Sequence, residues 1–368
     1  MTRAIELARS ALGSASPNPA VGAVVVQNGA VVGEGYTLPP GQRHAEIGAL
    51  AQAGSSARGA TLFCTLEPCC HYGRTPPCTD AIIAAGVSRV VYAVRDPNPR
   101  VSGGGESALR AAGVAVERQT NPEAEELHEA FAKHITTGLP FVVAKFAMSL
   151  DGKIATRTGS SQWITGSAAR ARVQRMRKEM DAIMVGIGTT LADDPQLTAR
   201  DAQGEPLPSN LQPVRIIVDS SARTPPTARM LNQPGRTIIA TAAGVPRDRV
   251  ARLEDVGADV REFPGSDGRV DLRKMLKFVG GQGIVSVLVE GGGLVLGATL
   301  DVGLIDKVCA FVAPMLIGGA GAPSPVAGSG AAVIADALRL ERTRIEPIGP
   351  DWLITGYPMT GYPINGGG

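Results

Sequence analysis

The sequence predicts two α/β domains in tandem, and three observations carry that expectation. At 368 residues the chain exceeds what one ordinary hydrophobic core supports. Its apolar runs alternate with amphipathic stretches, the order that packs helices against a sheet. The alternation closes on a polar helical segment, NPEAEELHEAFAKHITTGLP, and starts again at FVVAKFAMSLDGKIA. With the boundary at Leu139, the domains span 1–139 and 140–358, and a Gly- and Pro-rich tail, 359–368, is expected to be disordered.

In the first domain a helix is expected over about Thr2–Leu12, from apolar residues at helical spacing. AVGAVVVQ and AVVGEGY flank Asn28-Gly29, the strongest short hairpin signal. HAEIGALAQAG reads as a helix stopped by Gly54, ATLFCTL as a strand, TDAIIAAG as a helix and RVVYAV as a strand before the DPNP turn. That order fits a three-layer α/β unit. In the second domain DAIMVGIG, VRIIVD, TIIAT, IVSVLVE and KVCAFV are strands between helical segments, with a Gly-rich turn directly after one of them. No internal repeat is visible.

Composition narrows the function classes. No apolar run approaches the roughly 18 residues that cross a bilayer, and the charged, amphipathic N-terminus does not read as a signal peptide. A net charge of +2 and 4% aromatic residues give no basis for a nucleic-acid or membrane partner. Five cysteines, four of them between Cys64 and Cys78, point to metal binding in a reduced, cytoplasmic compartment.

Chemistry concentrates in HAE at His44–Glu46 and in TLEPCCHYGRTPPC at Thr65–Cys78. One imidazole and two thiolates can hold zinc with its fourth position open, and a glutamate beside the histidine can move protons without ligating. The common zinc-deaminase signature is H-x-E followed by P-C-x-x-C. Here no cysteine stands three after Cys69, so HYGRTPP must loop out if Cys78 is to reach the ion. A closed structural knuckle using Cys64, Cys69, Cys70 and Cys78, or His71, is the competing arrangement, but Glu46 would be redundant in it. Cys64 lies in an apolar strand, where a buried free thiol is the common outcome. Neighbouring Cys69 and Cys70 seldom aim at one ion.

Together with PNPxVGxVVV upstream and DPNP downstream, these strings resemble the bifunctional riboflavin-biosynthesis deaminase/reductase family over nearly the whole chain. The resemblance implies a cytidine-deaminase-like first domain that deaminates 2,5-diamino-6-(5-phosphoribosylamino)pyrimidin-4-one. One zinc per chain would be held by His44, Cys69 and Cys78, with Glu46 as the proton shuttle. Asn18, His71, Arg74, Asp96 and Asn98 match substrate-pocket positions. On residue type alone Asn18, Asp96 and Asn98 are equally turn formers, and Arg74 a solvated arginine. Thr37 stands where the family often has a histidine, which puts one polar substrate contact in question without touching the metal site, and Cys70 replaces another small residue.

For the second domain the resemblance implies a dihydrofolate-reductase-like fold that reduces the ribosyl side chain to ribityl with NADPH. Its signatures are KFAMSLDGKIA, SSQWITG, DAIMVGIGTTLADDPQLTAR and LVEGGG. Ser161, Arg177, Leu197, Arg200 and Glu290 match substrate positions. Ala147, Trp163, Thr189, Asp193 and the turn Gly292, Gly293, Leu294, Val295, Leu296, Gly297 and Ala298 match cofactor positions. By residue type alone Trp163 reads as core packing, and ARARVQRMRKEM as a solvated helix face. EGGGLVLG fits the dinucleotide pattern only in part. Asp193 or Glu290 could assist protonation, and Lys145 or Lys153 could carry negative charge. The family also implies a homo-oligomer, a dimer through the second domain. Two other readings remain: a nucleic-acid base deaminase with an added domain, and a structural zinc module with a degenerate dinucleotide-binding half.

Overall fold

The hairpin at Asn28-Gly29 forms, with φ of 51° and 78° at its two turn residues, the left-handed pair a tight hairpin requires. The computed structural model describes residues 1–73 and 75–359, and the chain divides into two compact units. One holds Met1–Pro140 with Gly280–Val285, and the other holds Phe141–Val279 with Ser286 onward.

The first unit runs α1 (Thr2–Arg9), β1 (Gly22–Gln27), β2 (Ala30–Tyr36), α2 (Ala45–Ala53), β3 (Thr61–Leu66), α3 (Cys78–Ala84), β4 (Arg89–Val94), α4 (Gly104–Ala111), β5 (Ala115–Arg118) and α5 (Pro122–Thr137). The strands make one sheet in the order β2-β1-β3-β4-β5. β1 pairs antiparallel with β2 and β3, while β3, β4 and β5 run parallel. Both faces of β4 are covered. Val90 and Tyr92 join a cluster with Ala49 and Ile82 from α2 and α3, whereas Ala93 packs with Ile5 and Ala124 from α1 and α5. α1 stops at Arg9, three residues short of the expected Leu12, where the chain enters a run of turns that includes Gly13 at φ 76°. α4 and β5 have no counterpart in the sequence expectation. The helix opens on three glycines, against propensity, and only Val116 of β5 is buried.

The second unit continues with β6 (Phe141–Ser149), α6 (Ser167–Glu179), β7 (Ala182–Gly186), α7 (Ile187–Asp193), β8 (Val214–Val218), β9 (Thr237–Thr241), α8 (Arg247–Glu254), β10 (Asp259–Glu262), α9 (Leu272–Gly281), β11 (Ser286–Val289), α10 (Gly293–Asp301), β12 (Lys307–Ala313), β13 (Leu340–Ile348) and β14 (Asp351–Pro358). Its nine-stranded sheet has the order β10-β9-β8-β7-β11-β6-β12-β14-β13. The first seven are mutually parallel, and β14 and β13 are added antiparallel at one edge. The central parallel strands are largely buried, which is why they read as apolar runs, whereas the edge strand β10 (DVRE) has no buried residue and was not anticipated. β13 could not be read that way, because Glu341–Pro347 are all exposed and only its ladder to β14 defines it. One tail residue also needs correction: the Met359 N–H donates to the Arg339 carbonyl. The rest of the expected tail, 360–368, lies outside the described residues. Among the described residues no helix is long and apolar enough to cross a membrane.

Candidate active sites

His44 immediately precedes α2, Cys78 is the first residue of α3, and Cys69 lies in the loop leaving β3. Their donor atoms, one nitrogen and two sulfurs, all fall within 4.8 Å of one another. His44 Nδ1 stands 3.3 Å from Cys78 Sγ and 3.7 Å from Cys69 Sγ. Metal–ligand bonds of roughly 2.0 and 2.3 Å at tetrahedral angles place N and S about 3.5 Å apart, so the donor set fits zinc in both chemistry and spacing. Nε2 of the same ring lies 3.3 Å from Thr75 Oγ1. Hydrogen bonds from Cys78 and, against burial, from His44 hold the Cys69 thiol well below the usual range.

Glu46, in the first turn of α2, is 4% exposed. Burial lifts its carboxyl above the usual carboxylate range, and the Cys69 charge adds to that effect. It is a buried acid beside the Cys69 and Cys78 sulfurs, of which the Cys69 hydrogen bond and burial push the Cys78 thiol up. Cys64 is buried on β3 with its thiol directed at the Val91 carbonyl, and Cys70 turns to the Arg100 and Val101 carbonyls. Neither joins His44, which argues against the closed knuckle.

The surrounding expectations fare unevenly. Asp96 is buried, its acid pushed up to about 6 by burial against the hydrogen bond from the Asn98 amide. Asn98 caps its own turn through the Arg100 N–H. His71 is half-buried with an unpartnered Nδ1, and the Asn18 side chain makes no hydrogen bond among the described residues. Arg74 lies outside the described residues. Thr37 is buried and occupied: its hydroxyl accepts from Val21 N–H at 3.0 Å, so it ties β2 to β1.

In the second unit, Arg177 of α6 and Glu290, just after β11, form a two-pronged ion pair at 2.7 and 2.8 Å. Their side chains are 17% and 5% exposed. Burial would raise the Glu290 acid, but Arg177, with Lys145 adding to it, holds it below its usual value. Lys145, across the β6–β12 ladder from Cys309, is shifted down by burial, with Glu290 opposing. Lys153 is committed elsewhere, its ammonium donating to the Ala322 carbonyl. Ser161 donates to Asp193 at 3.2 Å.

Thr189 of α7 accepts from the Gly292 N–H at 2.8 Å, at the mouth of α10. Leu294 is 76% exposed there, while Val295 and Leu296 are buried. Gly293 and Gly297 face the chain itself: a Cβ on Gly297 would lie 2.0 Å from the Ala327 carbonyl oxygen. Their bareness therefore admits Ala327, and a ligand would meet the Gly292–Leu294 end of the turn. Ala298, the last turn residue singled out, follows inside α10. Ala147 sits on β6 opposite Phe311.

One alternative in this unit is corrected, core packing for Trp163, and two further positions have particular surroundings. Trp163 is 66% exposed, not core, and Arg170 lies 4.7 Å over its ring. Arg200 folds back on its own loop, donating to Gln196 and Gly204. Leu197, at φ 51°, is buried, so only its backbone is available to a ligand.

Residues 1–94 match the family described as the cytidine and deoxycytidylate deaminase zinc-binding region, and residues 140–354 match the RibD C-terminal domain. The riboflavin biosynthesis protein RibD of Bacillus amyloliquefaciens is 44% identical over 98% of this chain and 96% of its own length.

The chain belongs to the RibD family.

RibD of Escherichia coli (strain K12) is 42% identical, covering 95% of this chain and 96% of its own. The structure of Acinetobacter baumannii RibD superposes with a TM-score of 0.85 at 39% identity, covering 97% of each chain. A Thermotoga maritima structure, described as a diaminohydroxyphosphoribosylaminopyrimidine deaminase/5-amino-6-(5-phosphoribosylamino)uracil reductase, gives 0.83 at 35% identity, covering 98% of this chain and 97% of that one. As a RibD protein the chain is a bifunctional enzyme of riboflavin biosynthesis, with a deaminase half and a reductase half.

Two residues of this RibD chain escaped the sequence reading. Thr75, which reaches His44, hid inside the RTPP insertion. Glu67 is 2% exposed and lies directly before Pro68-Cys69. A carboxylate at the end of an apolar strand must find partners, and that was the available signal.

Proposed function

We propose that the first unit hydrolytically removes an amino group from 2,5-diamino-6-(5-phosphoribosylamino)pyrimidin-4-one, using one zinc per chain held by His44, Cys69 and Cys78. The second unit then reduces the ribosyl side chain to ribityl with NADPH. The observation that carries this reading is the convergence of three donor atoms within 4.8 Å beside a buried glutamate.

When bound, zinc supplies a hydroxide nucleophile near neutral pH. Glu46 takes up one proton as water adds to the ring carbon and passes it to the ring nitrogen, then carries the second proton, from the added hydroxyl, to the amine, so that the C–N bond breaks, the carbonyl forms and ammonia leaves. Its burial keeps the proton available for that return. Asp96 and Asn98 hold the pyrimidine, with Asn18, His71 and Arg74 completing the pocket. Thr75 fixes the imidazole by accepting from Nε2–H, which leaves Nδ1 as the donor. Thr75→Val should therefore weaken zinc binding about 10- to 100-fold, measured by competition against a chromogenic chelator. Unchanged affinity would remove Thr75 from this role.

In the reductase half, Arg177 and Glu290 orient the sugar phosphate while Gly292–Leu294 and Thr189 receive the cofactor. Glu290, held below its usual range by Arg177, is a poor proton donor. Lys145 is the cation available to offset negative charge. The protein is cytoplasmic in this reading, in keeping with five free cysteines, and homo-oligomeric, which light scattering on the purified chain would test.

The deciding experiment follows ammonia release from the diaminopyrimidine phosphate with and without NADPH. Ammonia release should persist without NADPH and stop after zinc removal, while NADPH oxidation should require the deaminated product. Ammonia release insensitive to chelation would overturn the zinc assignment.

A further inference from the structure

The Glu67 carboxylate accepts three backbone N–H groups. Oε2 accepts from Asp96 at 3.2 Å and from Gly103 at 3.0 Å, and Oε1 accepts from Glu106 at 3.1 Å. Its own N–H donates to Val94 at 2.8 Å, extending the β3–β4 ladder by one step. The next residues, Pro68 and Cys69, carry the chain to the thiolate. On the other side, Asp96 opens the DPNP turn and its side chain holds the Asn98 N–H at 2.8 Å. The Asn98 carbonyl in turn accepts from Val101 at 2.8 Å and Ser102 at 3.0 Å.

Packing reinforces the same junction. A Cβ on Gly105 would lie 2.0 Å from the Pro68 carbonyl oxygen, and one on Gly104 would lie 2.8 Å from Cys70 Sγ. The glycine run at 103–105 thus lets the start of α4 sit flush on the peptide bearing Cys69, and Gly103 takes the left-handed conformation at φ 78°.

We propose that Glu67 is a positioning residue for deamination: its carboxylate ties the peptide bearing Cys69 to the loop bearing Asp96 and Asn98, and so sets the spacing between metal ligands and substrate contacts. The proposal rests on the reading that Asp96 and Asn98 line the substrate pocket. Three donors converge on two oxygens, so glutamine is a discriminating replacement. It keeps the side-chain volume and one acceptor oxygen, but opposes an NH₂ group to at least one backbone N–H.

The test uses the full chain with Glu67→Gln, Glu67→Ala and Asn98→Ala. In Glu67→Gln the KM for the diaminopyrimidine phosphate should rise about tenfold, the effect of one buried donor left unmet. Zinc should stay at one per chain, with kcat little changed. NADPH oxidation by the deaminated substrate, performed by the other unit, should be unaffected. Glu67→Ala should raise KM further; if that variant fails to fold, the isosteric Gln variant still decides. An unchanged KM in Glu67→Gln, with a raised KM in Asn98→Ala, overturns the positioning role. So does a loss of kcat that tracks lost zinc at constant KM. An unchanged KM in Asn98→Ala instead overturns the pocket reading beneath it, and the proposal with it.

Discussion

Glu46→Gln should lower the rate of ammonia release from the diaminopyrimidine phosphate by about 10²- to 10⁴-fold, the range associated with losing a positioned general acid–base. The amide fits the same buried space at the start of α2 but cannot accept and return the proton. The loss should fall on kcat, because a proton in flight matters in the transition state and little in substrate binding. Zinc content should stay at one per chain, since the three donor atoms come from His44, Cys69 and Cys78. NADPH oxidation with the deaminated substrate should continue at the parent rate. Full ammonia release by Glu46→Gln would remove the glutamate from the mechanism. Metal retention without turnover even in the parent protein would favour a structural zinc module.

Arg177→Met should cost about 3–5 kcal/mol of stability in the second unit, because it strands a buried charge. The sign with pH follows from which effect governs Glu290. In the parent, the arginine holds its acid below the usual value despite burial. The pair's contribution is then present above the unfolded pKa and is lost as pH falls through the folded one. Without Arg177, burial governs, opposed only by Lys145. Glu290 would then fold best when protonated, and its contribution would be lost as pH rises toward neutrality. The gap in thermal midpoint between parent and variant should therefore widen from pH 4 to pH 7, together with lost NADPH oxidation. A gap that narrows over that range would show that burial does not govern the orphaned carboxylate.

The three converging donors, His44, Cys69 and Cys78, and Glu46 were legible because their identity is local: H-x-E and the spaced cysteines are visible without knowing what lies opposite them. Glu67 was not legible, since its partners are backbone amides 29, 36 and 39 residues away and backbone groups carry no letter. The same blindness explains Thr37, which reads as a lost substrate contact but serves the Val21 backbone. Arg200 matches a ligand-contacting position, yet its guanidinium is taken by neighbours within four residues. The core-packing reading of Trp163 failed for a different reason: residue type favours burial on average, and its ring is instead covered on one side by Arg170. In the fold, the central parallel strands were legible as apolar runs, whereas the short edge strands β5 (AVER) and β10 (DVRE) were not. β13, polar and exposed, is a strand only through its hydrogen bonds.

The turn after β6 has a mechanical consequence. Asp151 accepts the N–H groups of Ile317 and Gly318, Ile154 donates to the Pro323 carbonyl, and Lys153 grips Ala322. These contacts fasten a strap, residues 317–323, whose continuation brings Ala327 against Gly297 of α10. The S-L-D-G-K-I string, diagnostic of the reductase half, thus works as a buttress whose far end bears on the helix that would receive the dinucleotide. A substitution at Asp151 would therefore be felt first at the strap, residues 317–323, and through it at Gly297.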